Sequence, residues 1–256
     1  MSGRTGGAGA ADGAGTGDAA RELRPHERAR REAPTDRVRL RRKADRGASD
    51  RGSIDAIVDA AYIGHIGWVL DGQPFVTPTA IWRVGDHVYW HGSAGSRMLQ
   101  RTKGRAQVCV TATILDGFVL ARSANDSSMN YRSVMILGAA EEVTDREEML
   151  HSFQVWVDRW FPGRWAELRP ATDAELRAIT LLRVDLNEAS AKVRAAGVME
   201  DPADHDWPVW AGVVPLALVA GEPIADPHVP AGMATPRHLP APGTRIQGEP
   251  GGESIG

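Results

Sequence analysis

The 256-residue sequence contains a single cysteine, Cys109. That excludes an intrachain disulfide and any thiolate metal cluster built within one chain. Cys109 stands between Val108 and Val110, a setting that predicts a buried structural thiol rather than a nucleophile. No apolar run approaches the roughly 18 to 20 residues that a membrane-spanning helix needs. The opening Met1-Ser2-Gly3-Arg4 continues into Gly and Ala without the apolar core of a signal peptide. The expectation is a cytoplasmic protein with no membrane partner. A net charge of -3 gives no global pull toward nucleic acid. No GxGxxG or GxxxxGK(S/T) element follows a candidate strand, and no His-Glu-x-x-His pattern occurs, which removes dinucleotide-fold, P-loop and zinc-protease readings. Ser93, Ser96 and Ser127 lack a nucleophile-elbow context, so a hydrolase triad is not expected.

What is present is a 42% hydrophobic composition, enough for a proper core. Residues 1–50 begin as a Gly/Ala stretch and continue as an Arg-rich segment, Arg21 to Arg46, with too little apolar surface to offset its ordering entropy. Its basic cluster from Arg39 to Lys43 lacks stacking aromatics, and a solvated arm is expected rather than a nucleic-acid site. Residues 225–256 are Pro/Gly-rich and read as a second tail, leaving 51–224 as the folded body. The body opens with a short helix from an N-cap at Ser53. Strands follow: Ile66 to Leu70, the hairpin signal Asp71-Gly72, Phe75 to Trp82, the turn Gly85-Asp86, and His87 to His91. Ala106 to Leu115 and Phe118 to Ser123 read as two strands joined at Asp116-Gly117, followed by a strand from Tyr131 to Val143. Helices at Asp145 to Trp160 and Asp173 to Ala178 precede late strands at Ile179 to Leu186 and Val209 to Leu218. Strand after strand with peripheral helices predicts an antiparallel, mainly β barrel.

Four segments carry candidate chemistry. His91-Gly92-Ser93-Ala94-Gly95-Ser96-Arg97-Met98 lies at a strand-to-helix junction, where free N–H groups, hydroxyls and a guanidinium fork suit a phosphate. A capped helix with a solvated arginine is the structural alternative. The polar stretch from Arg122 to Ser133 holds Met129, Asn130, Tyr131 and Arg132, groups able to read the edge of a heterocycle and cover its face. Val76-Thr77-Pro78-Thr79 places a proline inside a strand pattern, which marks a sheet edge where backbone groups can turn to a ligand. Trp210, at the start of the last strand, can stack on a flat ligand or anchor an interface. His65 and His87 lie at strand ends and read as structural or exposed.

Taken in order, Asp71-Gly72-Gln73-Pro74 with Val76-Thr77-Pro78-Thr79, Tyr89-Trp90-His91-Gly92-Ser93 with Ser96-Arg97-Met98, Met129 to Val134, and Trp210 to Pro215 resemble the FMN-binding split-barrel proteins related to pyridoxamine 5′-phosphate oxidase. The similarity is greatest to the branch that includes nitroimidazole-resistance flavoproteins and spans about residues 38 to 220. The resemblance implies a six-stranded Greek-key split barrel and a homodimer with flavin sites built from both subunits. It implies that Ser93, Ser96 and Arg97 hold the FMN phosphate, with His91 and Gly92 lining the approach. Val76 to Thr79 would lie along the isoalloxazine ring, Tyr131 and Arg132 would complete the pocket, and Trp210 would reach it from the partner subunit. Arg132 or backbone N–H groups would stabilise the reduced ring. The phosphate-contact and substrate-arginine sequences of the pyridoxamine phosphate oxidases themselves are not found, so that substrate is not implied. The implied activity is electron transfer from a reduced nicotinamide or another donor to a small planar acceptor such as a nitro compound. The alternatives are a flavin carrier without turnover, FAD in place of FMN, or a barrel holding deazaflavin or haem, with His91 or His65 as axial ligand.

Overall fold

The computed structural model describes residues 33–41 and 46–247. The Gly/Ala stretch, most of the Arg-rich segment and the final residues, on which part of the tail expectation falls, lie outside them. The fold is a mainly β split barrel, as expected from the sequence. Its strands are β1 (Gly47–Ala48), β2 (Ile63–Leu70), β3 (Gln73–Ala80), β4 (Trp82–Val84), β5 (His87–Ser93), β6 (Gly104–Leu120), β7 (Ser128–Glu142), β8 (Ile179–Asp185), β9 (Ala189–Arg194) and β10 (Gly212–Pro215). They form one antiparallel sheet with the hydrogen-bonded order β3-β2-β6-β7-β8-β5-β4. β9 pairs with the first half of β7 and β8 with its last residues, Glu141 and Glu142, so the long strand β7 serves two partners and splits the barrel.

Among the described residues, four α-helices are set around this sheet: α1 (Arg51–Ala60), α2 (Arg97–Thr102), α3 (Arg146–Trp160) and α4 (Asp173–Arg177). The cap of α1 is Asp50 rather than Ser53. Its carboxylate accepts from the Ser53 N–H at 2.9 Å and from the Ser53 hydroxyl, so Ser53 is the third helical residue and the helix starts earlier than read. Asp71 and Gly72 adopt φ of 51° and 79°, the left-handed pair that a two-residue hairpin turn requires, and they join β2 to β3 in register. Pro78 is tolerated because, among the described residues, β3 pairs only with β2 and forms one end of the sheet path.

Asp116-Gly117 is not a turn. The two strands expected on either side of it are one strand, β6, with a bulge between Leu115 and Gly117. Burial alternates through Val108, Val110, Ala112 and Ile114, then changes phase across the bulge to Gly117 and Val119. Gly117 serves close approach: a Cβ there would lie 2.9 Å from the Val214 carbonyl of β10. The following strand also starts earlier than read, which puts Met129 and Asn130 in β7 rather than in a loop. The short strands β1 and β9 were not anticipated. The last strand is confined to Gly212–Pro215.

The interior is packed by Ile66, Trp90, Val110, Ile136, Leu182 and Val184, with Ile54, Ile57 and Val58 of α1 closing against them. Strand β5 serves two layers. Val88 and Trp90 point into the barrel, whereas Trp82 of β4 and Tyr89 join Met149, Phe153 and Trp156 under α3. Cys109, expected to be buried, is half-buried, and burial raises its pKa. Before α1, Val38 is buried, Arg37 pairs with Glu188, and β1 pairs with β9. At the other end, the Ala220 and Ile246 N–H groups donate to the Thr244 and Leu218 carbonyls, and the Tyr62 hydroxyl donates to the Ile246 carbonyl at 2.6 Å.

Candidate functional site

The residues singled out in the sequence fall into three places. The first is the groove beside α2. Ser96 precedes α2 with its side chain free of a capping bond, and the Ser93 hydroxyl accepts from the Gly95 N–H at 3.3 Å. Arg97 lies over the ring of Phe75 at 5.1 Å and near that of Trp68 at 6.0 Å. Among the described residues no carboxylate pairs with it. Trp68 stacks on Phe75, and its indole N–H donates to the Thr77 hydroxyl at 3.1 Å. These contacts bring Ser93, Ser96 and Arg97 up to the β3 stretch Val76-Thr77-Pro78-Thr79, where Val76 is 67% exposed. The surface offers a guanidinium, two hydroxyls and an apolar edge together. Gly92 allows close packing, since a Cβ there would meet Leu99 at 3.0 Å. Met98 points the other way and is buried in the core.

The second place is the far end of β6. Met129 pairs with Phe118, and Trp210 lies just before β10, which pairs with Leu120 to Gly117. Met129, Phe118, Leu120 and Trp210 are all exposed. Asn130 is buried instead: its amide donates to the Ala196 carbonyl and accepts from Arg194 and the Ala196 N–H. Arg132 is buried as well. Its guanidinium forks onto Asp116, Nε to Oδ2 at 2.9 Å and Nη2 to Oδ1 at 2.8 Å. The charge assigned to a reduced flavin is therefore already matched by a carboxylate inside the protein. Thr77 is linked through Ile66 to Val110, whereas Met129 sits opposite Phe118. The two places are thus eight residues, about 26 Å, apart along β6.

The third place was not anticipated as a unit. His91 opens into a cavity of about 760 Å³ between the barrel, α3 and the segment ending in α4. Arg146, Leu150, Phe153 and Val157 line it at helical spacings of four, three and four, the inner face of α3. Trp165, Leu168 and Leu176 form the opposite wall. The His91 ring is held by edge contacts with Trp156 at 5.1 Å, Phe153 at 5.3 Å and Trp82 at 5.6 Å. Its Nδ1 is buried and has no hydrogen-bond partner. Burial lowers its pKa, which keeps the imidazole neutral. Helix α3 is fixed over the cavity by the Trp82 indole donating to Ser152, and by Glu148 accepting from Tyr89 at 2.8 Å and Arg183 at 2.5 Å. The amphipathic face of α3 was the available signal, but with α3 read as peripheral, nothing indicated what that face covers. His65, the other histidine considered as a ligand, is exposed on β2. Among the described residues, no group of three or more His, Cys, Asp or Glu side chains could hold a metal ion, and no helix is long and apolar enough to cross a membrane.

A family model described as Pyridoxamine 5′-phosphate oxidase matches residues 50–193. The chain belongs to this family. Two solved structures extend the match beyond the barrel. The flavocytochrome Anf3 from Azotobacter vinelandii is 38% identical with a TM-score of 0.77, over 81% of this chain and 97% of that one. The FAD and heme binding protein from Mycobacterium smegmatis is 33% identical with a TM-score of 0.75, over 79% of this chain and 100% of that one. A Bacteroides thetaiotaomicron structure described under 5-nitroimidazole antibiotic resistance is 24% identical with a TM-score of 0.47, over 57% of this chain and 86% of that one. No curated protein matches the sequence. The family fold is a flavin-binding split barrel, and the groove beside α2 and the His91 cavity are both built on its strand β5.

Proposed function

We propose that this protein binds a flavin nucleotide in the groove of β3 and α2 and a haem in the His91 cavity, and moves electrons between a reduced donor and these two cofactors. The observation that carries the second cofactor is the His91 imidazole, kept neutral by burial, which lines an aromatic cavity. An imidazole held by three rings and aimed into a mostly apolar space has the donor chemistry of a haem axial ligand. Cys109 is the sole cysteine and lies on β6, so attachment would be non-covalent. The two relatives at 33% and 38% identity, described as a FAD and heme binding protein and a flavocytochrome, support the same pairing, and the first favours FAD over FMN. Bound flavin supplies two-electron acceptance with one-electron release, and bound haem supplies one-electron transfer.

The chain's own residues bind, orient and exclude water. Arg97 offers its fork to a flavin phosphate, joined by the Ser93 and Ser96 hydroxyls. Thr77 accepts from Trp68 and keeps its own hydroxyl hydrogen for a ring acceptor. Phe153 and Trp156 keep water from His91. A reduced nicotinamide is the donor read from the sequence; a nitro acceptor has no residue in the groove assigned to it. The contacts assigned to one flavin ring are spread along β6: Tyr131, opposite Leu115, lies five residues or about 17 Å from Val110, and Trp210, just before Gly212 opposite Leu120, lies farther still. A homodimer, in which the partner's copy of the second group completes the site, reconciles them.

The test is the absorption spectrum of the purified protein, followed by anaerobic addition of reduced nicotinamide. Two broad flavin bands that bleach and a sharp Soret band are expected. His91→Ala should remove the Soret band and leave the flavin bands. Arg97→Ala should release flavin and leave the haem. A Soret band unchanged in His91→Ala overturns the haem assignment.

A further inference from the structure

The mouth of the His91 cavity is charged in a way that its apolar walls do not require. Arg146, the first residue of α3, and Arg169, in the wall segment before α4, both line the cavity. Each is held by a carboxylate on one short helix. Arg146 reaches Asp173 at 3.4 Å, with both side chains more than half exposed. Arg169 forks onto Glu175, which also accepts from the Thr172 N–H and hydroxyl in a capping box. Two cations thus face one opening, each neutralised by a weak surface pair that a better-placed anion can replace at small cost. Glu175 would keep its place through Thr172 if Arg169 turned away.

We infer that Arg146 and Arg169 are a carboxylate clamp for the two acidic side chains of a tetrapyrrole, and that Asp173 and Glu175 are internal place-holders for those carboxylates. The inference rests on the haem reading above and adds to it what the cavity selects: a flat apolar body with two anionic groups on one edge. Iron coordination fixes the centre of such a ligand and the arginines fix its rotation, because a guanidinium fork matches a carboxylate in one plane. The place-holders explain why exposed arginines at an apolar opening are not left with water alone.

The experiment is a Soret titration of the full chain with iron protoporphyrin IX and with its dimethyl ester, which keeps the ring and the iron and removes both negative charges. The wild type should prefer the acid over the ester by about tenfold or more, as two charge-assisted contacts imply. Arg146→Gln and Arg169→Gln should each weaken binding of the acid several-fold, leave the ester unchanged and narrow the preference. Asp173→Asn should tighten binding of the acid, because it frees Arg146; a purely structural pair would give the opposite sign. Circular dichroism checks that the variants fold. If neither porphyrin gives a Soret band, the haem reading fails. If both bind equally well with His91 intact, haem binding stands and the clamp is overturned.

Discussion

The buried pair Asp116–Arg132 allows a worked prediction. Both side chains are nearly excluded from water, at 3% and 7% exposure, and the fork between them is bidentate. Removing one partner of such a pair leaves a buried charge and costs about 3–5 kcal/mol. Arg245 lies 4.0 Å from the Asp116 carboxylate, so Arg132→Met leaves the aspartate one cation in reach and should sit at or below the lower end of the range. Asp116→Ala should fall within it. At about 2–4 °C per kcal/mol for a domain of this size, melting should fall by roughly 6–12 °C for Arg132→Met and roughly 6–20 °C for Asp116→Ala. The double variant Asp116→Leu/Arg132→Met removes both charges and should recover most of the loss, a coupling of about 2 kcal/mol or more. Urea unfolding followed by tryptophan fluorescence gives the cycle, and flavin absorbance per chain is read on the same samples. Asp116→Ala within about 1 kcal/mol of wild type would refute the buried-pair argument. A double variant that is stable but has lost its flavin would return Arg132 to the flavin contacts.

Arg159 donates to the Val58 and Ala61 carbonyls at the end of α1, at 3.2 and 2.6 Å, and to the Ile81 carbonyl at 3.3 Å. Arg159→Met should cost about 2–4 kcal/mol by removing the donor that these carbonyls share, with lysine recovering little because it lacks the fork; denaturant titration measures both. Gly117→Ala places a Cβ 2.9 Å from the Val214 carbonyl and should detach β10, seen as faster amide exchange at 212–214 and a loss of about 1–3 kcal/mol. Glu175 is held down to about 2 from the ordinary 4.5, chiefly by Arg169 and then by the Thr172 N–H and hydroxyl. A depressed carboxyl pKa stabilises above the unfolded value, so the α4 cap should be intact above pH 4.5 and be lost as pH falls toward 2. A carboxyl-carbon NMR titration shows this, and Arg169→Gln should move the midpoint up toward 4.5.

The barrel was legible in the sequence because turn chemistry and period-two alternation are local. Asp71-Gly72 gave its hairpin, and Pro78 marked a strand with one free edge. Asp116-Gly117 carries the same signal and misleads, because its glycine answers to a strand almost 100 residues away. Local pattern cannot distinguish a glycine needed for positive φ from one needed for contact with distant backbone. The same limit applies to Asn130 and Arg132. Their polarity suggested a ligand, whereas their partners, Ala196, Arg194 and Asp116, come from elsewhere in the fold. Ser93, Ser96 and Arg97 were legible as a group because a helix start concentrates them.

The His91 cavity shows how a second site arises on a sheet already committed to a core. Strand β5 alternates, so filling the barrel with Val88 and Trp90 sends Tyr89 and His91 to the opposite face. That face needs a cover, and α3 provides one with Phe153 and Trp156. A cover spanning a curved sheet touches it along a line, not over an area, and the space left beside that line is where His91 opens. Filling this space with protein side chains would bury the cavity-facing part of the imidazole as well, on a ring whose Nδ1 is already buried without a partner. A ligand that accepts an imidazole lone pair uses the ring and fills the apolar volume in one step. Phe153→Ala and Trp156→Ala should therefore weaken haem binding as well as the apo fold, because each ring both borders the cavity and packs on the core under α3.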